Sequence, residues 1–138
     1  MSMTNQNDSV IDVFITESRE HFEQIEPDLL ILEEQGGQTD QEIINRVFRG
    51  IHSIKGVAGF LGFDAIKNLG HNLESVLMLI RDGKLDPLPE VVDVLIQSAD
   101  KLQDMIEDVH ASNDMDYDDE HYGSFEEVDF SSLADLDY

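Results

Sequence analysis

The apolar residues of this chain recur at helical spacing, and nowhere does strict alternation of apolar and polar residues persist. An apolar residue every three or four positions lays a stripe along a helix, whereas a half-buried strand needs a period of two. Four such stripes stand between punctuation signals. The first helix is expected from about Ser9 to Glu34, with Ile11, Phe14, Phe22, Ile25, Leu29 and Leu32 on one face. Pro27 falls inside it, where a bend is allowed, and Gly36-Gly37 ends it. Thr39-Asp-Gln-Glu42 reads as a capping box, the Thr39 hydroxyl taking the backbone N–H of Glu42 while Glu42 reaches back. The second helix turns Ile44, Val47, Ile51, Ile54 and Ala58 inward, and Gly59-Phe-Leu-Gly-Phe63 reads as a tight turn. The third begins near Asp64, buries Ile66, Leu69, Leu73, Val76, Leu77 and Ile80, and stops at Gly83. Asp86-Pro87 offers a cap and a first-turn proline to a fourth, which buries Val91, Leu95, Leu102, Ile106 and Val109. Four amphipathic helices with short connections imply an all-α fold, an antiparallel up-and-down four-helix bundle.

Composition narrows the function classes. At 138 residues the chain has the length of one domain whose core needs no metal or disulfide. It has no Cys, which removes thiolate metal sites and cysteine nucleophiles. A net charge of −23 is repelled by phosphate backbones and anionic lipid, so nucleic acid and membrane surfaces are poor partners. No apolar run is long enough to span a bilayer. The start, MSMTNQNDSV, has neither the charged nor the apolar region of a secretion signal, and a cytoplasmic location is expected. Residues 111–138 hold 10 of the acidic side chains and none of the basic ones. The domain is therefore placed at 1–110 and an acidic linker at 111–138, within which Ser124-x-x-Glu127 caps a short fifth helix carrying Val128, Leu133 and Leu136.

The second helix breaks its own rules. It carries Gly50, Gly56 and Gly59, each costing about 1 kcal/mol against Ala in a helix interior, and local rules are usually broken at functional sites. Around His52 on the helical surface lie Phe48, Arg49, Lys55, Gly56 and Gly59, at offsets of three, four and seven. The inward stripe passes through Ile51 and Ile54, so His52 is turned outward, beside two cations and bare glycine surface. Of the 8 basic residues, Arg46, Arg49, Lys55 and Lys67 fall on this helix or the start of the next. A positive spot on so acidic a chain suits an anion placed at the ring. A neutral imidazole is a competent nucleophile once a neighbour fixes which nitrogen bears the proton. The third helix offers Glu74, with His71 one turn earlier. Counted from a turn centred near residue 62, His52 and Glu74 lie at about the same height.

The run His52-Ser-Ile-Lys55-Gly56-Val-Ala-Gly59-Phe-Leu-Gly62-Phe63 resembles the signature of histidine phosphotransfer domains. Within that family it is most similar to the N-terminal phosphotransfer domains of chemotaxis histidine kinases. Phe48-Arg49-x-x-His52, His71-Asn-Leu-Glu74 and Arg81-Asp-Gly83-Lys-Leu85 match as well, and the similarity covers about residues 10–110. The resemblance implies that His52 accepts a phosphoryl group through Nε2 and that Glu74 takes a hydrogen bond from Nδ1–H. It places Lys55 and His71 in the supporting network. The bare glycine surface beside His52, with its flanking cation, makes Arg49, Gly56 and Gly59 the expected docking face. It implies no kinase activity of the domain's own and no cofactor. The implied partners are the ATP-binding domain of a histidine kinase, on the same or another chain, and the receiver domain of a response regulator. The domain itself is expected to be monomeric, because no long apolar stripe is left over once four helices pack. Two other readings remain: a free-standing phosphorelay protein, and a non-catalytic helical interaction module.

Metal chemistry finds little support. A di-iron bundle wants Glu-x-x-His on two helices, and the chain has one His71-x-x-Glu74, reversed. Asp114-x-Asp116-x-Asp118 opens like a calcium loop but continues with Asp119 where glycine belongs and Phe125 where glutamate belongs. No metal site is expected. His21, His110 and His121 are read as ordinary polar side chains.

Overall fold

A computed structural model describes residues 3–109. It consists of α1 (Met3–Gln35), α2 (Gln41–Leu61), α3 (Asp64–Arg81) and α4 (Pro89–Glu107), with no strand among the described residues. Each helix packs on its neighbours in the ring α1, α2, α3, α4 and back to α1, and the α2–α3 pair is the most extensive. This is the expected four-helix bundle. Every residue placed on the four inward stripes is buried, and Ile15, Leu85, Val92 and Met105 join them. The expected linker and fifth helix lie outside the described residues.

Helix ends differ from expectation where several capping signals compete. α1 starts at Met3 rather than near Ser9, because a helix once nucleated gains one hydrogen bond per added residue without needing an apolar stripe. The α2 cap is Asp40, not Thr39: its Oδ1 accepts the Glu42 N–H at 2.9 Å, while its own N–H donates to Gln35 Oε1 at 3.1 Å. An ionised carboxylate at the positive end of the helix is at least as good a cap as a hydroxyl. Pro89, not Pro87, occupies the first turn of α4 after Leu88, and Asp86-Pro87 belongs to the connection before it.

The α2–α3 turn is tighter than the sequence suggested. α2 continues through Gly59 to Leu61, and the left-handed residue is Gly62, at φ 84°. The Phe63 N–H reaches back to the Ala58 carbonyl at 2.8 Å and the Gly62 N–H to Gly59 at 3.2 Å, a glycine-closed helix end. Gly59 therefore has ordinary helical geometry. Phe63 then stacks on Phe14 with ring centroids 6.1 Å apart, which fastens the turn to α1.

One ion pair fastens α1 to α2 from inside. Asp28 is fully buried, and both its oxygens accept from Arg46, each at 2.8 Å, with Gln24 Nε2 adding a bond at 3.0 Å. Burial pushes the Asp28 carboxyl up, but the hydrogen bonds from Arg46 and Gln24 and the guanidinium charge outweigh it, so its pKa lies below the ordinary value. A carboxyl with a depressed folded pKa stabilises fully above its unfolded pKa and loses that contribution as pH falls through the folded value. Asp28→Asn is expected to lower the unfolding free energy at neutral pH by about 1.5–3 kcal/mol. It should also flatten the loss of stability below the ordinary carboxylate range, both read from urea denaturation as a function of pH.

Candidate functional site

The amphipathic pattern of α3 carries Glu74 toward the seam with α2, where its side chain is only 7% exposed. A carboxylate there needs partners, and α2 supplies two from consecutive turns. His52 Nδ1 lies 2.5 Å from Glu74 Oε2, and Lys55 Nζ lies 2.6 Å from Oε1. Burial raises the Glu74 pKa, but the hydrogen bonds from Lys55 and His52, and then their charges, hold it below the ordinary carboxylate value. An ionised Glu74 can only accept, so the imidazole proton sits on Nδ1 and the lone pair on Nε2. The His52 side chain is 63% exposed, and Nε2 has no hydrogen-bond partner among the described residues. In its neutral form the imidazole thus presents Nε2 as its free nitrogen, a choice made by a buried anion.

The two helices meet closely here because α3 has no side chain at Gly70. A Cβ at that position would lie 3.1 Å from Lys55 Cβ and 3.6 Å from its Cα. Gly70 is one turn before Glu74, so the closest approach of the helices lies beside the ion pair. The sequence reading passed over it, although an interior glycine on a buried face is the same signal that singled out α2.

The expected site residues divide into groups. His52, Lys55 and Glu74 come together. His71 does not: its ring is exposed and bonds to none of them, because three residues before Glu74 is a rotation of about 60° toward solvent. Arg49 is exposed with no carboxylate partner among the described residues. A Cβ at Gly56 would meet nothing within 4 Å, so the surface after His52 is open. Gly59 is different, since a Cβ there would lie 3.1 Å from Lys67 Cδ, and the lysine stem covers part of its surface. The expected positive spot is also thinner than four cations: Arg46 is turned to Asp28 and Lys55 to Glu74, leaving Arg49 and Lys67 exposed. Phe60, one turn beyond Gly56, is 86% exposed and was not singled out. Phe48 and Arg81, noticed in sequence only as part of a pattern, are joined to the site by ring contacts with His52 and with each other.

A helical bundle that holds one imidazole at a helix seam, Nδ1 anchored and Nε2 exposed, has the form of a histidine phosphotransfer module. The chain belongs to the Hpt domain family, whose model matches residues 9–112. It is 34% identical over 99 residues to the chemotaxis protein CheA of Bacillus subtilis (strain 168), covering 72% of this chain and 14% of that protein. It is 38% identical over 94 residues to CheA of Rhizobium meliloti (strain 1021), covering 68% of this chain and 12% of that protein. The chain thus matches only a small part of the length of these relatives. The crystal structure of the phosphorylated P1 domain of CheA3 in complex with CheY6 from R. sphaeroides shares the fold, with a TM-score of 0.74. At 23% identity that match covers 94% of this chain and 96% of the other. No helix among the described residues is long and apolar enough to cross a membrane.

Glu74→Ala removes the buried carboxylate and leaves an exposed His52 and a partly exposed Lys55, and the bundle should remain folded. Losing the Nδ1 acceptor should release the ring from its single preferred tautomer. Nitrogen NMR of the imidazole should show the Nδ1–H tautomer dominant in the wild type and mixed in the variant.

Proposed function

We propose that this chain is a phosphocarrier of two-component signalling, with His52 as its phosphoacceptor. The observation that carries the reading is the exposed imidazole whose Nδ1 is held by the buried, ionised Glu74. In the first step the Nε2 lone pair attacks the γ-phosphorus of ATP held by a histidine kinase domain. The bond to the bridging oxygen breaks with its electron pair going to ADP, and the ring proton stays on Nδ1, hydrogen-bonded to the Glu74 carboxylate. In the second step an aspartate oxygen of a receiver domain attacks the same phosphorus, and the P–N bond returns its pair to the ring. Lys55 steadies Glu74 throughout, and His71, exposed one turn away, bonds to none of His52, Lys55 and Glu74. Similarity to CheA supports a chemotaxis-type kinase as the source of the ATP-binding domain, on the same chain or another. The complex of the related P1 domain with CheY6 supports a CheY-like receiver as the acceptor. We place the carrier domain at 1–110, the acidic linker at 111–138, and the protein in the cytoplasm as a monomeric domain.

With the ATP-binding domain of a CheA relative and labelled ATP, label is expected on the chain, lost in acid and stable in base. His52→Gln should abolish it. Label on that variant at the wild-type level ends the reading.

The open face of α2 around Arg49, His52 and Gly56 is the part a receiver must approach, and Phe60 extends it by one turn. A Cβ at Gly56 meets nothing within 4 Å, and leucine improves helix propensity there. Gly56→Leu should therefore fold at least as well as the wild type and take phosphate on His52, yet pass it to a receiver about ten times more slowly, since misplacing the reacting atoms is costly. Rapid-quench transfer assays on the phosphorylated protein measure this.

A further inference from the structure

One hydrogen bond does not orient a ring. The contact with Glu74 pins Nδ1, but the imidazole can still swivel about that anchor and sweep the Nε2 lone pair through an arc. In-line attack on phosphorus needs the lone pair on one line. A second constraint comes from α2 itself. Phe48, one turn before His52, stacks on the imidazole with centroids 6.0 Å apart and planes only 10° from parallel, within the range of favourable aromatic pairs. The flat face of Phe48 thereby sets the plane of the imidazole. Phe48 is held in turn by α3: the Arg81 guanidinium carbon lies over its ring, 4.9 Å from the centroid, a cation–π distance. That end of α3 is tied to the start of α2, where Gln41 Nε2 donates to the Arg81 carbonyl at 3.2 Å.

We propose that Arg81 and Phe48 form a positioning ladder that fixes the plane of the His52 ring for phosphoryl transfer, an inference that rests on the phosphoacceptor reading. Glu74 selects the nitrogen, and the ladder aims it. Phe48 touches the reacting ring, whereas Arg81 acts through Phe48. Leucine at 48 would bury comparable apolar area without a flat face, so the two roles of Phe48, packing and aiming, are separable.

The test uses phosphoramidate as the phosphodonor, so that no kinase surface is involved. His52 Nε2 bonds to phosphorus, the P–N bond of the donor breaks, and ammonia leaves with a proton from water. Phe48→Leu should slow this about tenfold, and Phe48→Tyr should restore it. Arg81→Gln should slow it about threefold, with Arg81→Lys recovering part of the loss. Adding Arg81→Gln to Phe48→Leu should cost nothing further, the non-additivity of residues acting in series. In both slow variants the Nδ1–H tautomer should persist while residual dipolar couplings show a wider spread of His52 ring orientations, a change that looser packing alone would not confine to the ring. A folded Phe48→Leu protein reacting at the wild-type rate overturns the ladder, as does an Arg81→Gln effect undiminished in the Phe48→Leu background. Should Phe48→Leu fail to fold, Arg81→Gln against Arg81→Lys decides the matter, and equal, wild-type rates for both overturn it. A wild-type protein that takes no phosphoryl group on His52 from either phosphoramidate or ATP removes the phosphoacceptor reading and the ladder with it.

Discussion

The buried carboxylate of Glu74 is the group around which the α2–α3 seam is organised. An ionised side chain on the inner face of a helix is tolerated only if its charge and lone pairs are met. Here they are met from one direction, by two side chains a turn apart on α2. The same pairing that makes the carboxylate tolerable selects the imidazole tautomer and neutralises Lys55. Stability and chemistry therefore share one interaction, and the depressed Glu74 pKa keeps it intact across the neutral range.

Three glycines prepare this seam in three different ways. Gly62 adopts the left-handed conformation that closes α2 and turns the chain into α3 within two residues. Gly70 removes the side chain that would hold α3 away from Lys55. Gly56 leaves empty surface next to the imidazole, and it alone has no role inside the folded chain that a larger residue would disturb. Its helix-propensity cost of about 1 kcal/mol is not explained by packing within the bundle.

Electrostatically the molecule is less simple than its net charge of −23 suggests. Two cations of α2, Arg46 and Lys55, are consumed by the two buried carboxylates, Asp28 and Glu74. One fastens α2 to α1 and the other fastens it to α3, so α2 is clamped from both sides. Arg49 on α2 and Lys67 on α3 remain exposed. A small positive patch in an acidic field favours an anion near the ring while the rest of the surface repels anionic polymers.

Much of this was legible in the sequence. Helical periodicity, which arises from local geometry alone, placed all four helices and the buried stripe of each. Counting from the turn put His52 and Glu74 at one height. Features that depend on choosing among near-equal local signals were not decided there: Asp40 over Thr39 as a cap, Pro89 over Pro87 in the first turn of α4, and Gly62 over Gly59 as the left-handed residue. A local window sees each candidate as acceptable, and only the packed length of the helices selects one. The departure of His71 from the site, the pairing of Lys55 with Glu74, and the chain of contacts from Arg81 through Phe48 to His52 went further beyond reach. Each depends on the rotation and spacing of one helix relative to another, and those are set by side chains interlocking across the whole bundle. By itself the sequence determined which faces are buried and which imidazole is turned outward. The tertiary structure decided which groups that imidazole meets, because hydrogen bonds and ring contacts are resolved at fractions of an ångström while periodicity resolves only a face.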